Sequence, residues 1–195
     1  MTQKLKIFII LIAVSLYGTQ NVFSKEKAPE SGKAINKYNL RVNPIGLLAD
    51  TFLLLNFDIG VNGKLTLGPE LGISAFFDDG VVERGELLGV HANYYFSNRI
   101  DDAWLLGFSA GYLHKTVAPL LAKKPANLSG ISISSTAGYQ WIWKSGFNII
   151  LGLGLGYSSL PKTATAKDFA GANEEVKVPN AGLRGLGVFS LGYAF

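Results

Sequence analysis

The sequence contains no cysteine, only two histidines and few charged residues. Lys, Arg, Asp and Glu make up 16% of its 195 residues, whereas a soluble domain usually carries about 25% charged residues. The lack of cysteine excludes disulfides, thiolate catalysis and a lipoprotein cysteine. Two histidines without cysteine give no metal-ligand cluster. We therefore predict no metal, no cofactor and no catalytic residues.

Long apolar runs and a strong net charge are also missing. The formal net charge is +4, and without Lys4 and Lys6 it would be +2, which is too weak and too scattered to predict a nucleic-acid partner. Mean hydropathy is nevertheless positive, at +0.25. No apolar run of about 20 residues follows the N-terminal segment, so the mature chain has no predicted transmembrane helix.

The N-terminus has the pattern of an export signal. Lys4 and Lys6 precede an apolar stretch over 7–17, and Val22-Phe23-Ser24 offers a cleavage site before Lys25. The apolar stretch is too short for an uncleaved membrane anchor. We predict a signal peptide over 1–24, a flexible periplasmic tail over 25–37 and a folded domain over 38–195.

The folded region alternates with a period of two, most clearly at its end. In 183–195 an apolar and aromatic face alternates with a face that is mostly small residues. The composition of the whole chain, with 23 glycines and 12% aromatic residues, suits an all-β fold. Turn-like residues separate eight such segments, at 38–48, 51–61, 64–77, 86–97, 104–116, 128–143, 147–158 and 183–195. This pattern predicts an all-β, eight-stranded antiparallel up-and-down transmembrane β-barrel.

The connections alternate in length, which predicts the orientation. Cross-strand partners must share a face, so 61–63 and 144–146 are predicted to be three-residue loops with left-handed Gly63 and Gly146. The connections 78–85, 117–127 and 159–182 are longer. Short turns at one end and long loops at the other predict periplasmic termini, with Ala49-Asp50 as one short outer loop.

Aromatic residues gather at the predicted strand ends, where amphipathic rings lie at the membrane interface. The predicted periplasmic girdle consists of Tyr38, Tyr94, Phe96, Trp104, Trp141, Phe147, Tyr193 and Phe195, and the predicted outer one of Phe52, Phe77, Tyr112 and Tyr157. A secreted lipocalin-like barrel is the soluble alternative. It would turn the apolar face inward and needs a charged exterior, but the second face here is largely Gly, Ser, Thr and Asn.

Polar residues of the inward face form a predicted lumen network. Its members are Arg41, Asp58, Glu70, His91, Asn93 and Arg184. If Phe77 lies opposite Glu86, then Glu70 faces Asn93 and is diagonal to His91. Eight strands enclose just enough space for side chains, so we favour a plugged lumen over a channel or a proton-linked site around Glu70 and His91.

Short motifs in the first three strands carry a family resemblance. These are Asn43-Pro44-Ile45-Gly46-Leu47-Leu48, Leu55-Asn56-Phe57-Asp58 and Leu65-Thr66-Leu67-Gly68-Pro69-Glu70. The chain resembles small eight-stranded barrels of Gram-negative bacteria related to the OmpX and OmpA transmembrane domains, and more closely a largely uncharacterised subfamily of them. The resemblance implies export to the cell outer membrane and insertion by the barrel assembly machinery, with Phe195 in the assembly signal. It supplies no catalytic residues.

The expected function is a structural or surface-interaction role, with outer-membrane lipids, including lipopolysaccharide, as neighbours. Loops at the outer rim carry binding, so 159–182 is the candidate surface for a ligand. A narrow pore is the first alternative, and a lipid A-modifying enzyme comes after it. His114 has no Ser and carboxylate nearby in sequence, although a triad is defined by geometry and can assemble across strands.

Overall fold

The structure is a computed structural model that describes residues 37–44, 52–78, 81–99, 101–120, 124–168 and 170–195. These residues form ten strands: β1 (Tyr38–Asn43), β2 (Leu53–Gly60), β3 (Leu65–Asp78), β4 (Val81–Tyr95), β5 (Ala103–Pro119), β6 (Ala126–Ile142), β7 (Phe147–Ser158), β8 (Thr163–Lys167), β9 (Asn173–Lys177) and β10 (Gly182–Ala194). In this part of the chain no helix is long and apolar enough to cross a membrane.

Eight of these strands close into one antiparallel barrel. Each pairs with its sequence neighbour in the order β1 to β7, and β10 pairs with both β7 and β1. The closing contact pairs Asn39 with Ala194, and the backbones of Tyr38 and Phe195 exchange hydrogen bonds beside it. The predicted all-β, closed, up-and-down architecture with eight barrel strands is confirmed.

The loop after β3 is shorter than the sequence predicts. Phe77 lies opposite Val82, and not opposite Glu86, because β3 and β4 continue as a paired ribbon up to Asp78 and Val81. Most of 78–85 is therefore strand. The upper part of the predicted strand 38–48 and the Ala49-Asp50 loop lie outside the described residues, as do the signal peptide and nearly all of the predicted tail.

One of the two predicted three-residue turns is confirmed. In 144–146 the Trp143 N–H donates to the Phe147 carbonyl over 2.9 Å, and Gly146 is left-handed with φ 92°. The turn after β2 has the same length but is shifted by one residue to 62–64, since Gly60 lies opposite Thr66 and the Val61 N–H donates to the Leu65 carbonyl over 2.9 Å. There the Asn62 side-chain oxygen accepts from the N–H groups of Lys64 and Leu65. That turn needs no left-handed glycine, so the prediction for Gly63 was wrong.

The two faces of the barrel are the reverse of those of a soluble protein. Among the described residues the outward face exposes large apolar side chains along its whole circumference, including Leu67, Leu88, Phe108, Ile131, Leu153 and Leu183. The inward face buries polar and charged ones, including Asn39, Arg41, Asp58, Glu70, His91 and Asn148. The lipocalin-like alternative predicts the opposite orientation, with the apolar face inward.

The predicted periplasmic aromatic residues collect around the barrel end that carries Tyr38 and Phe195, here called the terminal end. The ring of Tyr38 stacks on Phe57 at 5.7 Å and lies 5.9 Å from Phe195. On the opposite wall Tyr139 contacts both Trp104 and Trp141, with ring centroids 5.3 and 4.8 Å apart. Most of these rings are exposed.

The long connection 159–182 forms a folded cap. Strands β8 and β9 make a two-stranded hairpin, in which Ala166 and Val176 are buried. These residues join a cluster with barrel residues of the opposite, hairpin end, including Phe52, Leu87, Leu113, Val117 and Ala126. The cap is therefore part of the hydrophobic core.

Candidate functional site

One carboxylate oxygen organises the polar network near the terminal end. Asp58 Oδ1 accepts hydrogen bonds from Arg41 Nη2 at 2.6 Å, His91 Nε2 at 2.7 Å, Asn93 Nδ2 at 3.0 Å and Thr66 Oγ1 at 3.1 Å. All five residues are at most 7% exposed. A buried guanidinium requires a buried counter-charge, so Asp58 is the residue on which the other four depend.

Local backbone features place Asp58 at this point. The β2–β3 ladder is interrupted between the pair Asn56–Glu70 and the pair Ile59–Leu67. Pro69 lies in the interrupted stretch and has no N–H to donate to the ladder. A Cβ on Gly68 would overlap the Phe57 carbonyl. The proline and the glycine together let β3 approach the Asp58 backbone closely.

The observed register changes the predicted surroundings of Glu70. Asn93 lies opposite Thr66, and Glu70 lies opposite Asn56 and Gly89. The predicted Glu70–Asn93 pairing is wrong, because β3 and β4 pair four residues further toward the hairpin end than expected. Glu70 remains diagonal to His91, because His91 follows Gly89 by two residues on β4. The Glu70 side chain is buried above the Asp58 network.

A second layer closes the terminal end of the lumen. Arg99, in the turn after β4, donates from Nε to the Asn62 carbonyl at 3.0 Å, and Gln140 Nε2 donates to the Arg99 carbonyl at 2.9 Å. The ring of Tyr95 is buried beside them. Burial lowers the pKa of the Arg99 guanidinium, while Tyr95 and Asp58 act to raise it. An arginine remains charged at neutral pH under such influences.

A buried ion pair of the barrel wall also contacts the segment that follows the cap. Lys115 Nζ on β5 lies 2.6 Å from Glu83 Oε1 on β4, and each side chain is 1% exposed. The same ammonium donates to the Pro179 carbonyl at 3.0 Å and lies 5.7 Å from the centre of the Phe52 ring. Pro179 belongs to the segment that leads from the cap into β10, so Lys115 connects the cap to the barrel wall.

Between the two closures lies a cavity of about 120 Å³ with a lining of both polar and apolar residues. Its lining includes Arg41, Glu70, His91, Ser109, Ser134 and Arg184. One water molecule needs about 10–15 Å³, so the cavity has room for several water molecules. His91 Nδ1 and Arg41 Nε have no protein partner. In the described residues no group of three potential metal ligands occurs.

The structure brings four of the six predicted lumen residues into one hydrogen-bonded network: Arg41, Asp58, His91 and Asn93. Glu70 lines the cavity beside that network. Arg184 lies elsewhere, under the cap, where its Nη1 donates to the Asn180 carbonyl at 3.2 Å. β1 pairs Arg41 with Gly192, so Arg41 and Arg184 lie at different heights of one lumen.

Sequence reasoning missed the Glu83–Lys115 pair and the buried residues Thr66, Tyr95 and Asn148. Lys115 had a visible signal, because it shares the inward parity of Leu113 and Val117 on β5. Glu83 had none, since the predicted register placed it in a loop. Asn148 exchanges side-chain hydrogen bonds with Asn39 near the β1–β10 closure, at 3.1 and 3.4 Å.

The chain was compared with known families and proteins. No curated protein matches it. A match over residues 7–182 is found with a family described as Protein of unknown function (DUF3575). The match spans most of the chain and includes most of the closed barrel. This family match does not assign the chain to the OmpX or OmpA barrels. The protein is therefore a member of the uncharacterised DUF3575 family, and its described fold is a closed eight-stranded barrel with a capped lumen.

Proposed function

We propose that this protein is an outer-membrane β-barrel with a structural or surface-interaction role and a lumen closed by its own side chains. The observation that carries the proposal is the reversal of polarity across the barrel wall. Leu153 and Leu183 point outward with 75% and 73% exposure, while Asp58 points inward with 1%. A soluble monomer rarely exposes so large a continuous apolar surface, whereas a lipid bilayer requires one.

Backbone pairing supports the same proposal. A segment in the hydrocarbon layer must satisfy its backbone hydrogen bonds internally, so a spanning sheet has to close. The eight barrel strands close through β1 and β10. The exposed aromatic residues at the terminal end, such as Trp104, Phe147 and Tyr193, suit a membrane interface. In this proposal the signal peptide over 1–24 directs export, and Phe195 is read by the barrel assembly machinery.

The two closures favour a plug over a pore. The Asp58 network and Arg99 fill one end of the lumen, and the cap with the Glu83–Lys115 pair covers the other. The cavity between them is small. We assign no catalytic role to these lumen residues, since Arg41 is paired with Asp58 and Lys115 with Glu83.

The outer surface of the cap is the proposed interaction surface. The exposed residues of β8 and β9 include Thr165, Lys167, Glu174, Glu175 and Lys177. They form a mixed-charge surface on a hairpin whose other side is anchored in the barrel. Because the hairpin is already folded, binding a partner does not require ordering a loop.

Two measurements test the proposal. After cell fractionation, the protein is expected in the outer membrane with a gel mobility that changes on heating, because a closed barrel resists detergent until it unfolds. A soluble periplasmic fraction would contradict the membrane assignment. Single-channel recordings of the refolded protein are expected to show no steady conductance. Regular conductance steps would refute the plugged lumen and support the pore.

A further inference from the structure

The second histidine, His114, lies on the outward face of the barrel with a carboxylate and a serine on its two sides. Its cross-strand partner on β4 is Glu86, and its partner on β6 is Ser129. His114 Nδ1 is 3.0 Å from Ser129 Oγ. Directly opposed residues have Cβ atoms about 4.5–5.5 Å apart. Glu86, His114 and Ser129, which we call the Ser–His–Glu row, therefore meet on three adjacent strands.

The rows on either side of this one differ in chemistry. The neighbouring row on the side of the terminal end, two residues along each strand, is apolar. It consists of Leu88, Tyr112 and Ile131, which are 63%, 57% and 62% exposed. Two residues toward the hairpin end lies a polar row of Arg84, Thr116 and Asn127. The Ser–His–Glu row thus marks the boundary between the apolar belt and the polar rim.

We propose that the Ser–His–Glu row hydrolyses ester-linked acyl chains of membrane lipids. This inference rests on the membrane-embedded barrel proposed above. In a bilayer the apolar row contacts acyl chains, the polar row contacts headgroups, and an ester bond lies at the level between them. The row therefore stands at the depth where the carbonyl of such a lipid is found.

The reaction needs only water as a co-reactant. Ser129 Oγ attacks the ester carbonyl carbon while its proton passes to His114 Nδ1. The tetrahedral intermediate collapses, the bond to the lipid alcohol breaks, and His114 returns the proton to that alcohol. Water then attacks the acyl-Ser129 ester and gives a proton to His114, and Ser129 regains its proton as the fatty acid leaves.

The three members of the row have different roles. Ser129 and His114 are the catalytic residues, because they exchange the proton and form the covalent bond. When Nδ1 accepts from Ser129, the ring proton is on Nε2, and Glu86 on the opposite strand is the carboxylate that orients and stabilises the ring. Glu86 is therefore a positioning residue.

The developing oxyanion needs donors, which the polar row supplies. Backbone N–H groups here are engaged in the sheet ladder, so side chains have to provide this stabilisation. Thr116 donates its hydroxyl to Asn127 Oδ1 at 3.0 Å, which holds the amide oxygen and leaves Nδ2 to donate. Arg84 offers a guanidinium in the same row.

A fluorophosphonate probe tests the nucleophile on refolded full-length protein in detergent, independently of membrane insertion. Labelling is expected at Ser129 and is abolished in Ser129→Ala. The matched control is Ser135→Ala, an exposed serine on the same strand and face, which should retain labelling. Loss of the base in His114→Gln should lower the labelling rate about 100-fold or more. Absence of labelling, or equal labelling in His114→Gln, would overturn the proposal.

The positioning role of Glu86 has its own readout. Glu86→Gln is expected to lower the maximal labelling rate while the probe concentration for half-maximal rate stays unchanged, because the substitution disturbs the base and not the binding surface. Heat-dependent gel mobility should match the wild type. An unchanged maximal rate would contradict the positioning role of Glu86.

Two vesicle preparations identify the lipid. The protein is inserted into phosphatidylethanolamine–phosphatidylglycerol vesicles with and without lipopolysaccharide, and released fatty acid is measured by mass spectrometry. Release in both preparations indicates phospholipid, and release only with lipopolysaccharide indicates lipid A. No release from either, or equal release by Ser129→Ala, would refute the lipid substrate. Failure of insertion would instead refute the membrane proposal.

Discussion

Replacing Asp58 is expected to destabilise the barrel more than any change at an exposed acidic residue. In Asp58→Ala the four donors on Asp58 Oδ1 lose their common acceptor, and Arg41, which is 4% exposed, loses its counter-charge. Breaking a buried ion pair from one side costs about 3–5 kcal/mol. The loss of the remaining hydrogen bonds acts in the same direction.

The assay is reversible urea unfolding of the refolded protein, with a double-mutant cycle. Arg41→Met combined with Asp58→Ala should regain much of the lost stability, because no unpaired charge is left buried. Asp101→Ala, at an exposed acidic residue of the turn after β4, is the control and should change stability by no more than about 0.5 kcal/mol. A loss below about 1 kcal/mol in Asp58→Ala, or strictly additive single effects, would refute the account of Asp58 as the centre of the network.

Three further changes test the backbone and the cap. Gly68→Ala should prevent formation of the heat-modifiable folded species, because the added Cβ meets the Phe57 carbonyl. The control Gly185→Ala should fold normally, because the space around Gly185 is open. Equal folding of the two variants would contradict the close approach of β3. Leu160→Ala should lower the free energy of unfolding in urea by about 2–5 kcal/mol, because Leu160 is 5% exposed in the cap cluster; a neutral effect would show that the cap is not packed. Lys115→Met should lower the free energy of unfolding in the same titration by about 3 kcal/mol or more, and the addition of Glu83→Leu should restore most of that loss. The absence of rescue would contradict the buried pair.

Deletion of residues 162–178 tests the packing of the cap on the barrel. A solvated loop can be removed without effect, but Ala166, Val176 and Val178 of this segment lie in one hydrophobic cluster with Leu113 and Val117, which are 0% exposed. Deletion is expected to leave the barrel closure intact and to lower the urea midpoint. A pull-down that loses a surface partner would support the interaction role of the cap, and an unchanged midpoint would contradict its packing.

Much of the barrel was readable from the sequence because a strand has a side-chain period of two. The alternation over 183–195 fixes which residues of β10 face inward, and the observed burial follows it at Arg184 and Ser190. When a predicted cross-strand register is wrong by an even number of residues, each residue is still predicted on the correct face of its strand. The predicted inward position of Glu70 is therefore correct even though its predicted partner, Asn93, is not.

Partners across the barrel were not readable, because they depend on loop geometry. The turn after β2 is shifted by one residue to 62–64, where Asn62 accepts from the Lys64 N–H, and the β3–β4 ribbon continues to Asp78. Each shift is local in sequence, yet each changes the neighbours of every residue along the strand. The Glu83–Lys115 pair follows from the longer β3–β4 ribbon, and the cap follows from the packing of β8 and β9 on the barrel, so both had to be found in three dimensions.

The sequence by itself determined the all-β class, the eight barrel strands and the inward parity of Arg41, Asp58 and His91, because these depend on local alternation. Only the tertiary structure decided that four donors meet on Asp58, that β8 and β9 cap the lumen, and that Glu86 and Ser129 stand on either side of His114. The physical reason is that these contacts join different strands. Their distances are set by register and barrel closure, which no single segment encodes.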